Sequence, residues 1–406
     1  MKQRYILHCD IDYCFAQIEI LKNPSLANVP MCVGGDESKR HGIVLARNPL
    51  AKAKGVKTAE TLIDARRKCP GLVIVPPSYE DYLMISNQVK DIYRTYTDKV
   101  ESFGIDEAWV DISDSILLFG KPGDIATEIQ KRIKAEVGLT VSIGMSFNKI
   151  FAKLGSDFQK PNGLTILMES HMKQMIWPLP VQELLYVGPS TQKSLNQIGI
   201  RIIGDLACAN ENTLHTHLGK MGSLLKAFAN GEDSSEVNPY SDPAKSIGNG
   251  MTTPQDLVTI DEVKRVLLVL AESVSSRCRK IEKKGSVLRI SIRDHKLETL
   301  SRQKKLNQPI NTVQQIVNES LFLVEKYWDQ NKPLRSITIT LSDLVSTCQP
   351  IQLSLFDEPI TELDETLDTI RERFGHHSIK RASVLLQKDL DQRNPQNNAS
   401  SFGHNQ

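Results

Sequence analysis

Asp10 and Asp12 close a short apolar run, Tyr5-Ile6-Leu7-His8-Cys9. Asp106 and Glu107 stand side by side within Ser102-Phe103-Gly104-Ile105-Asp106-Glu107-Ala108-Trp109-Val110-Asp111, where two apolar runs, Lys99 to Phe103 and Ala108 to Ile112, meet at a turn. Adjacent acids in such a turn repel each other, and folding them together is costly unless a cation sits between them. Side chains alternate along a strand, so Asp10 and Asp12 share a face if the first strand continues that far. Four hard oxygen ligands at the ends of neighbouring strands suit Mg²⁺ and not zinc. The competing reading is that of solvated acids in two surface turns.

Strand, turn and helix are expected over residues 1–23, a helix over Thr61–Lys68 ended by Pro70, and a helix over Tyr82–Thr97 leading into the acidic turn. Beyond it come a helix over Asp124–Glu136, a strand over Leu139–Met145 and a helix over Asn148–Phe158. Lys149 and Lys153 lie four apart and share a face of that last helix. Lys160-Pro161-Asn162-Gly163 is a turn carrying a cation. Residues 171–232 are helix-rich. There Gly188 precedes a helix bearing Lys193, and a Gly-rich turn joins it to Ile203-Gly204-Asp205-Leu206, a geometry that can present backbone N–H groups to a phosphate. The polar, Pro-broken stretch 233–244 reads as a linker. The next unit contains helix Ile260–Ile281, strands Ser286–Arg293 and Leu297–Lys305, helix Val313–Trp328 and strand Leu334–Leu341. After it, a helix over Leu363–Phe374 and a strand over Ser383–Gln387 are expected.

At 406 residues the chain is too long for one core. Its 40% hydrophobic and 24% charged content is that of an ordinary globular protein. A net charge of +2 allows no global argument for nucleic acid. Locally, Lys245 to Ser342 carries 17 basic against 10 acidic residues, which fits phosphate-backbone binding. Seven scattered Cys without a CxxC pair point to a reduced cytoplasmic protein without zinc. No signal peptide or membrane span is expected.

In this order the motifs resemble the Y-family lesion-bypass DNA polymerases, nearest the bacterial polymerase IV branch, from Tyr5 to about Gln387. Asp10-Ile11-Asp12-Tyr13-Cys14-Phe15 is similar to the family's first motif and Ile105-Asp106-Glu107-Ala108 to its second. The resemblance implies an α+β right-hand polymerase. A βαββαβ-like, ferredoxin-like palm would cover 1–23 and 76–166, small fingers 24–75 and a helix-hairpin-helix thumb 167–232. The linker at 233–244 would lead to a βαββαβ-like little finger at 245–344. A clamp-binding peptide and extension would follow at 345–390, then a disordered tail at 391–406.

The resemblance also assigns roles. Asp10, Asp106 and Glu107 are the catalytic acids and, with the Ile11 carbonyl, the ligands of two Mg²⁺. Tyr13, Cys14, Phe15, Ala46, Arg47, Lys52 and Lys160 surround the deoxynucleoside triphosphate, Phe15 being the gate against a ribose 2′-hydroxyl. Lys149, Lys153, Gly188, Lys193, Ser246, Arg289, Arg293, Arg302 and Lys304 line primer-template DNA. Gln352, Leu353, Leu355 and Phe356 are similar to the anchors of the peptide that binds the bacterial sliding clamp. The chain departs from the family at Pro49 and Lys52, where Tyr and Arg are usual, and at Gly104, where Ser is common. Lys52 keeps the charge but not the bidentate fork of Arg. The implied protein is a monomeric, cytoplasmic, nucleoid-associated error-prone polymerase. A catalytically degenerate DNA- and clamp-binding relative is the alternative. A nucleotide cyclase, with a palm-like fold and two metals, would have no use for the thumb, little finger or peptide.

Deleting Gln352–Phe356 should remove stimulation of synthesis by the clamp while leaving distributive primer extension unchanged, because a tether acts only through effective concentration. Loss of both activities together would make the peptide structural.

Overall fold

The computed structural model describes residues 3–36, 40, 42–240, 243–348, 363–375 and 378–382. The chain divides into two compact units, one made of Met1–Gly35 and Ile43–Ser241, the other of Asp36–Gly42 and Asp242–Asn405.

The first unit is built on β1 (Ile6–Ile11), buried at every position. Tyr13, in the left-handed region at φ 37°, turns the chain into α1 (Cys14–Lys22). A three-stranded sheet follows, made by β2 (Met31–Gly34), β3 (Val44–Arg47) and, beyond two helices, β4, in the order β3-β2-β4. The helices are α2 (Pro49–Ala53) and α3 (Leu62–Lys68), after which β4 covers Val73–Val75. Asn48 caps α2 and Pro49 occupies its first turn, where a missing N–H costs nothing.

The chain returns through α4 (Tyr79–Arg94), β5 (Val100–Ser102), β6 (Glu107–Asp111), α5 (Ile116–Phe119) and α6 (Pro122–Glu136). Next come β7 (Val141–Ser146), α7 (Lys149–Ser156) and β8 (Leu164–Leu167). These strands form one sheet in the order β5-β6-β1-β7-β8. β1 is antiparallel to both neighbours, with Asp10 opposite Glu107 and His8 opposite Trp109. The acidic turn therefore lies beside the end of β1, as the residue pattern implied.

α7 packs against β7 and β1 through a glycine contact. A Cβ on Gly144 would lie 2.0 Å from the Ala152 carbonyl oxygen, and one on Gly155 would meet the Gly144 Cα at 3.2 Å. This close approach brings Lys153 and Ser156 over the strands. The rest of the unit is helical: α8 (Pro189–Gln197), α9 (Ile203–Cys208), α10 (Glu211–Leu218) and α11 (Lys220–Ala229) enclose a core of Leu195, Ile203, Leu206, Leu214 and Leu225.

The stretch read as a linker is fastened down over its first half. Val237 is buried with Ile6, Trp109 and Ala152. Arg4 donates to the Ser235 carbonyl at 2.7 Å, and the Asn238 N–H donates to Glu101 at 2.8 Å. One apolar residue inside a polar run is a weak sequence signal, and Val237 carries it.

The second unit begins with β9 (Ser246–Leu257), a 12-residue strand that the sequence pattern missed because Gly248 and Gly250 interrupt it. It continues with α12 (Ile260–Lys280), β10 (Lys283–Asp294), β11 (Thr299–Ile310), α13 (Val313–Tyr327) and β12 (Leu334–Ser346). This is a βαββαβ order, with the antiparallel sheet arranged β11-β10-β12-β9. Leu267, Leu270, Val274, Leu288, Ile290, Ile316 and Ile339 are among its core residues. A final helix, α14 (Leu363–Phe374), coincides with the expected one. It packs through charge: Arg279 pairs with Asp368, Glu272 with Arg371, and Asp364 accepts the Val313 N–H at 2.8 Å.

The peptide Gln352, Leu353, Leu355 and Phe356, the strand expected over Ser383–Gln387 and the tail at 391–406 lie outside the described residues. Among the described residues no helix is long and apolar enough to cross a membrane.

Gly144→Ala should lower stability by at least about 3 kcal/mol, since the added methyl meets main chain that cannot rotate away. An unfolding titration measures this; a loss under 1 kcal/mol would show that α7 shifts freely.

Candidate active site

Asp10 is the last residue but one of β1 and Glu107 begins β6, so the ladder sets the two carboxylates opposite one another. Ile11 lies next to Asp106, its N–H donating to the Asp106 carbonyl at 2.9 Å. The turn before Asp106 is held from below by α4: Lys90 donates to the Gly104 carbonyl at 2.8 Å, and Ser86 to the Ile105 carbonyl. Gly104 has φ +93°, a conformation that disfavours any side chain. The glycine spares the turn the strain that a side chain would carry there.

Two ammonium groups lie among the acids. Lys160 reaches Asp10 at 2.7 Å and Asp157 at 2.8 Å. Lys153 spans Glu107 at 2.9 Å, Asp157 at 3.4 Å and Asp10 at 3.5 Å. Burial, opposed by Lys160 and reinforced by Glu107, pushes Asp10 up to about 7. Burial and then Glu107 also raise Asp106. Glu107 moves the other way: burial is outweighed by His8 and Lys153, which hold its carboxyl well below the usual range.

Asp12 does not join this group. It accepts from Ser142 Oγ at 2.7 Å and from the Asn162 N–H at 2.8 Å, fastening the turn that carries Lys160. The four-acid reading is corrected to three, because β1 ends at Ile11 and strand alternation stops there. Among the described residues no three acidic, His or Cys side chains are already gathered into a metal cage. The donor chemistry nonetheless fits a hard divalent cation: three oxygen acids, two of them raised by burial and so short of positive charge even with the lysines beside them.

Phe15 stacks on Tyr82, with centroids 4.4 Å apart and planes at 11°, and meets Tyr79 edge-on at 6.0 Å. Tyr13, Phe15 and Ala46 pack against one apolar cluster with Met31 and Val33. Cys14 is buried at the start of α1. Arg47 ends β3 with its guanidinium on Thr58, and Lys52 is exposed on α2. Lys149 is drawn away from the acids. Its ammonium bonds both Glu101 oxygens at 2.7 Å and lies 4.4 Å from the centre of the Trp109 ring. Gly188 caps α8, on which Lys193 is exposed beside Gln192 and Asn196.

In the second unit the ladder sorts the basic residues. Across the open face run the rows Gly248-Thr340-Arg289-Gln303 and Thr252-Ser336-Arg293-Thr299. Ser246, exposed, opens β9. A Cβ at Gly248 or Gly250 would lie 2.6 and 2.3 Å from the hydroxyls of Thr340 and Thr338, so these glycines keep the strands close. Arg302 and Lys304 lie in the rows of Ile290 and Leu288, on the helix side. There Arg302 covers the Tyr327 ring at 5.3 Å and Lys304 pairs with Glu319 at 2.7 Å. Sequence reasoning missed Lys90, Ser86, Asp157 and His8, which carry no local motif.

Residues 9–157 match the model of the impB/mucB/samB family, and 244–355 that of its C-terminal domain. DNA polymerase IV of Acetivibrio thermocellus is 45% identical over 396 residues, covering 96% of this chain and 99% of the relative. DNA polymerase IV 2 of Bacillus subtilis is 39% identical, covering 95% of each chain. A solved chimeric Y-family DNA polymerase superposes with a TM-score of 0.77 at 25% identity, covering 84% of this chain and 99% of its own.

The two pKa directions predict opposite stability effects without metal. A carboxyl raised in the fold costs stability once pH exceeds its unfolded value, whereas a depressed one adds stability there. At pH 7.5 in chelator, Glu107→Gln should cost about 1.5–3 kcal/mol and lower Tm, while Asp10→Asn should leave Tm unchanged or raise it. Thermal unfolding of both variants checks the ranking, and the reverse order refutes it.

Proposed function

This chain belongs to the impB/mucB/samB family, the Y-family DNA polymerases, and from that premise we propose that it extends a DNA primer by template-directed addition of deoxynucleotides, across damaged templates included. The observation that carries the reading is the triad Asp10, Asp106 and Glu107 at the ends of paired strands, with the ammonium groups of Lys153 and Lys160 among the carboxylates.

Asp10, Asp106, Glu107 and the Ile11 carbonyl would hold two Mg²⁺. When bound, these ions supply a lowered pKa for the primer 3′-hydroxyl and neutralise the triphosphate and the leaving pyrophosphate. Lys160 and Lys153, released from the acids, turn to the triphosphate oxygens, where cations offset the developing charge. Phe15, backed by Tyr82, stands as the wall against a 2′-hydroxyl. Arg47 and Lys52 supply the cationic edge of the fingers in place of the usual Tyr and Arg.

DNA is held through its backbone. The helix-hairpin-helix around Gly188 and Lys193 offers N–H groups and a cation, and the open face with Ser246, Arg289 and Arg293 offers donors without base readout. Arg302 and Lys304 support that sheet from behind and contribute at its edge. Lys149 braces the palm against the strap at 233–238. Gln352, Leu353, Leu355 and Phe356 tether the enzyme to the sliding clamp, which offsets a weak grip on the primer end. The protein works in the cytoplasm, at the nucleoid, as a monomer.

Primer extension with Mg²⁺ on an undamaged template tests the reading. Wild type should extend with deoxynucleotides, Asp106→Ala should not, and Phe15→Ala should incorporate ribonucleotides about 10–100-fold more readily. No extension by wild type, with DNA binding intact, would favour a non-catalytic relative. Unchanged sugar selectivity in Phe15→Ala would remove the gate.

A further inference from the structure

His8 is fully buried in the middle of β1, with its ring edge-on to Trp109 at 5.4 Å. A buried imidazole in a strand that otherwise packs Ile6, Leu7 and Cys9 costs free energy unless both nitrogens are used. Nδ1 lies 2.9 Å from Ser156 Oγ. Nε2 points at Glu107 Oε2 from 3.4 Å and has no hydrogen-bond partner at that distance. An imidazole can carry its ring proton on either nitrogen.

The position of that proton depends on Ser156. Its hydroxyl is 2.7 Å from the Lys153 carbonyl and 2.9 Å from His8 Nδ1, and it has one proton to give. If Ser156 donates to the carbonyl, it accepts from Nδ1–H, and a bare Nε2 lone pair faces a carboxylate. That arrangement is repulsive and gives the Glu107 carboxylate nothing from the ring. If Ser156 turns its proton onto Nδ1, Nε2 becomes the N–H and donates to Glu107 Oε2. Oε1, now held by Lys153 at 2.9 Å, is then the oxygen left for a cation.

We propose that His8 is the positioning residue of the acidic site, orienting the Glu107 carboxylate through Nε2–H, with Ser156 selecting the tautomer that makes this possible. This rests on the polymerase reading. Neither residue touches substrate; both act through Glu107, as partners behind a metal ligand do. The Gly144–Gly155 contact is what brings Ser156 within reach, since it seats α7 against the sheet.

The test is Mn²⁺ binding to the full chain without DNA or nucleotide, followed by the free-Mn²⁺ electron paramagnetic resonance signal, in wild type, His8→Phe, His8→Gln and Ser156→Ala. His8→Phe should weaken Mn²⁺ binding about 10-fold or more. In primer extension it should raise the Mg²⁺ needed for half-maximal rate by a similar factor, with the rate recovering at saturating metal and KM for the deoxynucleotide unchanged. Ser156→Ala should move both in the same direction by less. His8→Gln, whose amide can donate from the ε position, should recover most of the loss. In ¹⁵N spectra of the histidines, the His8 signal should report Nε2–H in the metal-loaded wild type.

Mn²⁺ affinity equal to wild type in a folded His8→Phe would overturn the proposal. So would His8→Gln behaving no better than His8→Phe, or an Nδ1–H tautomer in the loaded protein. If His8→Phe does not fold, His8→Gln, Ser156→Ala and the tautomer decide. A wild type that neither binds Mn²⁺ nor extends a primer would instead sink the polymerase reading.

Discussion

Three carboxylates gathered at the end of a buried strand pair are the constraint on which the first unit depends. Uncompensated, they would repel by several kcal/mol in a partly buried setting. The fold answers with Lys153 and Lys160, both brought in by the segment from α7 to the following turn. Each ammonium group sits within ion-pair distance of more than one carboxylate, so the repulsion is offset within the fold itself. Asp157, touching both ammonium groups, gives each a carboxylate outside the triad.

Placing those lysines requires backbone contacts that look unrelated to chemistry. Gly144 and Gly155 let α7 lie on β7 at a distance no side chain permits. Asp12, bonded to Ser142 and Asn162, anchors the turn of Lys160. On the other flank Ser86 and Lys90 hold the carbonyls of Ile105 and Gly104, so the acidic turn is tied to α4 as well as to its own strands. These polar side chains are satisfied inside the fold, which is the condition for burying them without a large penalty.

The second unit uses charge differently. Its sheet separates basic residues by alternation alone: Arg289 and Arg293 face outward among hydroxyls and glycines, and Arg302 and Lys304 turn toward α13. An outward face of that composition attracts phosphates without reading sequence. On the helix side, Glu272 and Arg279 of α12 hold α14 through its Arg371, Asp364 and Asp368.

The residue pattern alone brought out Asp10, Asp12, Asp106 and Glu107 as candidate acids, Lys149, Lys153 and Lys160 as nearby cations, and most element types. Each of these is written in a short window: apolar runs ending in acids, capped helices, a Pro-Asn-Gly turn. Pro49 and Gly104, which break the family pattern, were legible only as departures; α2 and the positive φ at residue 104 supplied their local reasons. Tertiary structure decided that Asp12 serves a turn and that Lys149 is spent on Glu101 and Trp109. It also decided that residues 233–238 are a strap and that His8 stands behind Glu107. The physical reason is common to all four. Which partner a polar side chain meets depends on residues distant in the chain, from 48 for Lys149 to 150 for Asp12, and no local period encodes a contact made across that separation.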